Sequence, residues 1–125
     1  MLQATSSAEQ HLSATLVALS DPTRRAIVRR LARGEARVTE VAEPFDMSLN
    51  AVSKHIRVLE RARLVVRRRA GREHFLSLDV APLDGASAWI ESMRAFWSAR
   101  LDALAEFLEA EQARTEPPPK GRKQQ

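Results

Sequence analysis

The sequence predicts a mainly α-helical domain that carries one small β-hairpin and closes with a long helix, in the order α-α-α-α-β-β-α. Three observations predict it. Apolar residues recur at helical period in successive short stretches between residues 8 and 63. Between Leu64 and Leu78 the period drops to 2, the signature of strands. Residues 82–112 then run without an internal proline and keep a single apolar stripe.

Residues 1–7 (MLQATSS) are small and polar and are expected to be unstructured. In residues 8–19, Leu12, Leu16 and Leu19 fall at i, i+4 and i+7, which predicts a short helix. Ala8, Ala14 and Ala18 lie opposite and permit close packing. Ser20-Asp21-Pro22 starts the next helix: Ser20 or Asp21 caps it, and Pro22 fits the first turn. Over residues 22–33, Ile27, Val28 and Leu31 point inward and the arginines mostly outward. Gly34 ends the helix as a left-handed cap. Residues 38–45 (VTEVAEPF) predict a short helix that buries Val38, Val41, Ala42 and Phe45 and stops near Pro44.

Asp46-Met47-Ser48 is a tight turn into the most informative stretch, Ser48 to Arg63 (SLNAVSKHIRVLERAR). Leu49, Val52, Ile56 and Leu59 form its apolar stripe, and Ser48 is a good N-cap. The other side offers Asn50, Ser53, Lys54, Arg57 and Arg61, with no acid among them. Amide, hydroxyl, ammonium and guanidinium groups are those that hydrogen-bond base edges and phosphates. Two short helices joined by a tight turn, the second polar on its free face, are a helix-turn-helix. Strands at residues 64–69 and 73–78 follow, turned by Ala70-Gly71-Arg72. Their tip bears Arg67, Arg68, Arg69 and Arg72 against one acid, Glu73. An arginine-tipped hairpin in this place has the form of a wing, which lies along the backbone or minor groove of DNA.

The last helix spaces Ala86, Ile90, Met93, Trp97, Leu101, Leu104 and Leu108 by 4, 3, 4, 4, 3 and 4 residues, with Trp89, Phe96 and Phe107 beside them. So wide a stripe on a small domain calls for a second copy as cover. The expected dimer interface is Leu12, Leu16, Ile90, Met93, Trp97, Leu101, Leu104 and Leu108. Residues 8–112 would then form one DNA-binding and dimerisation domain, and residues 113–125, proline-rich and basic at the end, an unstructured tail.

Charge is divided along the 125 residues. The chain carries +4 overall, but residues 20–78 hold 14 Lys and Arg against 7 Asp and Glu, and residues 79–116 hold 3 against 8. A basic middle followed by an acidic segment suits one part that meets a polyanion and another that does not. There is no cysteine, which excludes disulfides, thiolate catalysis and cysteine metal sites. His11, His55 and His74 sit on three different elements without ligand spacing, so no metal and no cofactor is expected. With no glycine-rich phosphate loop and no paired acid and histidine, an enzyme is not expected. No apolar run of membrane-spanning length and no signal-peptide pattern appears, so no membrane is expected and the cytoplasm is the default location.

The segments LSDPTRRAIVRRLARGE and MSLNAVSKHIRVLERARLVVRRRAGREHFLSLD resemble the arsenic-repressor (ArsR/SmtB-type) winged helix-turn-helix regulators, over about Leu16 to Leu108. SDPTRR and AVSKHIRVLERARLV are the most specific phrases. The resemblance implies a homodimeric bacterial transcriptional repressor whose terminal helices make the dimer. Its recognition positions match Ser48, Asn50, Ala51, Ser53, Lys54, His55 and Arg57. Metal-sensing members place a cysteine pair in the helix before the turn, or a histidine and carboxylate set on the last helix; this sequence has neither. Phe96-Trp97 resembles a subgroup with that pair in the last helix.

On this reading double-stranded DNA and a second copy are the partners, and no effector is identified. Asn50 would pair with adenine, Lys54 or Arg57 with guanine, and Ala51 would touch a thymine methyl. Ser48, Ser53 and Thr39 would hold phosphates, and the four wing arginines would grip the backbone. His55 stays open between packing, phosphate and base contact. Arg24 and Arg25 stay open between phosphate contact and pairing with acids such as Asp21 or Glu60. The rival reading is a winged-helix module that binds protein; it calls for an apolar or acid-studded face on the second helix.

Overall fold

The computed structural model describes residues 6–115. The expectations for residues 1–5 and 116–125 fall outside that range. The elements are α1 (Ser7–Ala18), α2 (Pro22–Leu31), β1 (Ala36–Arg37), α3 (Val38–Ala42), α4 (Leu49–Arg61), β2 (Val65–Ala70), β3 (Glu73–Leu78) and α5 (Ala81–Thr115). Thus α1 begins one residue before the expected start, inside the stretch read as unstructured. Likewise α5 continues three residues past the expected end. The described residues divide into two compact units, residues 6–88 and residues 89–115.

In the first unit the caps follow the side chains. Ser6 accepts from the Glu9 N–H at 3.1 Å, Asp21 from Arg24 at 3.0 Å and Ser48 from Ala51 at 3.0 Å. Of the two candidates for α2, Asp21 is the cap; the Ser20 hydroxyl donates to the Val17 carbonyl instead. Ile27, Leu31, Val41, Val52, Ile56, Leu59, Leu64 and Leu76 make the buried core, with Ala18, Ala36 and Val65 around it. Val38, Ala42 and Phe45, expected inside, pack against this core but are half-buried.

Leu49 departs from the expected stripe. It lies in the first turn of α4 and is 51% exposed, beside exposed Met47. The core reaches α4 only from Val52 onward.

The hairpin is larger than expected by one strand. β1 pairs antiparallel with β3, Ala36 opposite Leu76, so the sheet order is β1-β3-β2. β2 and β3 pair from Val65 opposite Leu78 to Ala70 opposite Glu73, leaving Gly71 and Arg72 as a two-residue loop. Gly71 has φ of 63°, which a tight hairpin turn needs at its first position.

The junction from α4 to β2 is made by Arg63, at φ of 64°. The Leu64 N–H donates to the Leu59 carbonyl at 3.0 Å and the Arg63 N–H to Glu60 at 2.9 Å. These are the two bonds of a Schellman cap, with Leu64 and Leu59 both fully buried as its apolar contact. Arginine stands where glycine is the usual residue.

The second unit is the run of α5 from Trp89. Its apolar side chains are open: Ile90, Trp97, Leu101, Leu104 and Leu108 are 46–59% exposed, and Met93 is half-buried. No helix among the described residues is long and apolar enough to cross a membrane.

Candidate nucleic-acid interface

Burying Val52, Ile56 and Leu59 fixes the rotation of α4. Asn50, Lys54, Arg57 and Arg61, at i, i+4, i+7 and i+11, then face outward and are exposed. Among the described residues none of the four makes a side-chain hydrogen bond or ion pair within the chain. Arg61, placed on this side by the sequence but not among the expected DNA contacts, belongs to the row as fully as the other three. Ala51 and Ser53 flank the row, half-buried. Ser48 spends its oxygen on the cap, which leaves its O–H free to donate.

His55 is turned toward its own domain. Its Nδ1 is 3.2 Å from a terminal guanidinium nitrogen of Arg24 and 3.8 Å from Asp21 Oδ2. A guanidinium only donates, so the imidazole accepts through Nδ1. Arg24 also donates through Nε to the Ala18 carbonyl at 2.7 Å and through its other terminal nitrogen to Val17 at 3.2 Å. Arg25 donates to Leu19 at 2.7 Å. Both arginines are therefore intramolecular, and of the two readings left open neither names their partners, which are backbone carbonyls at the end of α1. The Arg24 N–H, aided by the nearby Arg24 guanidinium, holds the Asp21 carboxyl below the usual carboxylate range.

The wing arginines divide into two kinds. Arg67 donates from Nε and a terminal nitrogen to the two oxygens of Glu60 on α4, both at 3.0 Å, and lies 3.3 Å from His74 Nδ1. Arg68 grips Glu35, in the connection between α2 and β1, at 3.2 and 2.9 Å, and its guanidinium lies 4.6 Å from the centre of the Phe75 ring. These bonds push both guanidinium pKa values up and draw the Glu35 carboxyl down. At the tip, Arg69 makes one bond, to the Gly71 carbonyl, and Arg72 makes none among the described residues.

Arg37 adds a third tie, donating to Glu73 at 3.1 Å. Thr39, exposed in the first turn of α3, shares with Arg37, Arg67, Arg72 and His74 the lining of an open pocket of about 210 Å³ beneath the wing. The structure therefore brings Thr39 together with the wing. Glu35, the partner of Arg68, has no local sequence signal that marks it, and Glu60 pairs with Arg67 instead of the α2 arginines. Among the described residues no cluster of three or more His, Cys, Asp or Glu is placed to hold a metal ion.

This arrangement has close counterparts. Residues 19–68 match the family described as a helix-turn-helix domain. The chain is 42% identical over 94 residues to the HTH-type transcriptional regulator Rv2034 of Mycobacterium tuberculosis, covering 75% of this chain and 85% of that protein. It is 33% identical over 73 residues to the transcriptional repressor SdpR of Bacillus subtilis, covering 58% of this chain and 81% of that protein. A crystal structure of an ArsR family transcriptional regulator superposes with a TM-score of 0.68 at 38% identity, over 70% of this chain and 97% of that one. An ArsR-like transcriptional regulator from Rhodococcus sp. RHA1 does so with a TM-score of 0.69 at 30% identity, over 78% and 92%.

Proposed function

Because the chain belongs to the ArsR family of helix-turn-helix transcriptional regulators, which act by binding DNA, we propose that it is a repressor that reads an inverted-repeat operator as a homodimer in the cytoplasm. One observation carries the reading: the outward row Asn50, Lys54, Arg57 and Arg61, left without intramolecular partners on a helix whose other side is locked into the core. Neither an apolar face nor an acid-studded one is present there, which disfavours the protein-binding alternative.

In the proposed complex α4 enters a major groove. Asn50 pairs with adenine, Lys54 or Arg57 with guanine, and Ala51 meets a thymine methyl. Ser48, Ser53 and Thr39 donate to phosphates. His55 packs against Arg24 through Nδ1, which leaves its Nε2–H to donate to a phosphate.

Two surfaces support dimerisation. α1 leaves Leu16 and Val17 exposed in the first unit. The α5 stripe from Ile90 to Leu108 is exposed in the second. A two-fold pair of recognition helices would address half-sites with centres about 34 Å apart or a multiple of that. Repression is by occlusion of the promoter.

The test is fluorescence anisotropy on a duplex selected from a random library by the wild-type protein, at stated salt. Lys54→Ala or Arg57→Ala is expected to weaken specific binding by about 1–3 kcal/mol. An equal loss on random DNA reassigns that residue to phosphate, and a protein that selects no sequence refutes the proposal.

A further inference from the structure

We propose that Arg67 and Arg68 position the wing instead of touching DNA, and that Glu60 and Glu35 are part of the DNA-binding apparatus as the acids that hold them. The inference rests on the reading of the chain as an operator-binding repressor.

The bonds decide it. Each arginine gives two N–H groups to one carboxylate, the paired geometry in which a guanidinium is held most firmly. The two acids come from two different elements. Glu60 sits on the recognition helix itself, and Glu35 on the connection into β1. Arg67 is half-buried and lies by His74 of the facing strand. The Arg68 guanidinium lies over the ring of Phe75 of that strand. β2 is therefore fastened on one side to α4 and on the other to the α2–β1 connection. Its direction relative to the recognition helix is set by these two contacts.

An acid beside a DNA-binding face repels phosphate and lowers affinity unless it does something else there. Two such acids, each paired to a wing arginine, have that other task. The guanidiniums left over are those of Arg69 and Arg72 at the tip, and these supply the phosphate contacts.

The charge of the acids gives the test its sign. On the selected operator, Glu35→Gln and Glu60→Gln are each expected to weaken binding about threefold, and together about tenfold, although each removes a negative charge. The slope of log affinity against log salt stays at its wild-type value. Arg69→Ala with Arg72→Ala flattens that slope by about two contacts' worth. If the acid variants bind as well as wild type or better, or steepen the slope, the arginines they release are phosphate ligands and the inference is overturned.

A charge swap keeps the question open to refutation if Glu60→Gln disturbs folding, because the Arg68–Glu35 pair is exposed. Arg68→Glu alone weakens binding, and Arg68→Glu with Glu35→Arg recovers it. A double variant as weak as the single one overturns positioning. The controls separate the two readings. Where Lys54→Ala and the tip variants weaken binding but the acid variants strengthen it, only the positioning role falls. Where none of them alters binding, operator recognition itself falls.

Discussion

α4 and α5 are both amphipathic in sequence and have opposite fates. The stripe of α4 is fully buried at Val52, Ile56 and Leu59, whereas the equivalent positions of α5 from Ile90 to Leu108 stand about half exposed. Helical period says that one side of a helix avoids water; it does not say what covers that side. α4 is short and lies among three other helices and the sheet, so its own chain covers it. From Trp89 onward the apolar side of α5 stays exposed within its own unit, and in the proposed dimer a second copy covers it.

This contrast is open to attack, most strongly in the core. Ile56→Ala, which removes a fully buried side chain, is expected to cost about 2–5 kcal/mol and to lower Tm equally at every protein concentration. A Tm that falls more at low concentration would make α4 part of the subunit interface. Next, Trp97→Glu is expected to yield monomers by sedimentation with helix content retained, and to weaken operator binding about 100-fold by uncoupling the half-sites. An intact dimer removes α5 from the interface.

A smaller effect concerns the start of α2. Asp21→Ala is expected to cost about 1 kcal/mol at neutral pH. The Asp21 carboxyl titrates below its ordinary value of 3.8 in the folded chain, so its contribution is complete above that value. It disappears as pH falls through the folded pKa. The gap between variant and wild type in denaturant melts should therefore close in acid. The smallest change has the opposite sign: Arg63→Gly, at a left-handed position, is expected to stabilise by about 0.5–1 kcal/mol in the same melts.

Much of the fold was legible because its signals are local. Asp21 and Ser48 announce the helix starts, Gly71 the hairpin, and the residue spacing the inward side of α4. What escaped needed partners distant in the chain. β1 is two residues long and exists only because β3 offers an edge opposite Ala36. Arg24 was open in the sequence between a phosphate and an acid, yet the carbonyls of Ala18 and Val17, brought close by the turn between α1 and α2, claim it. Leu49 fits the periodicity of α4 but lies beyond the reach of the core. The four wing arginines are alike in sequence. Only folding, by bringing Glu35 to Arg68 across 33 residues, separates those that are held from those that are free.

The Schellman junction at Arg63 has a consequence for the operator. The reading helix passes into the wing through residues whose backbone is bonded and whose Leu64 is sealed in the core, with no slack between them. A duplex whose grooves do not match that fixed span must itself bend or change its twist to fit, at an elastic cost of about 1–6 kcal/mol set by its base steps. In the proposed complex, selectivity therefore extends to base pairs that no side chain reaches.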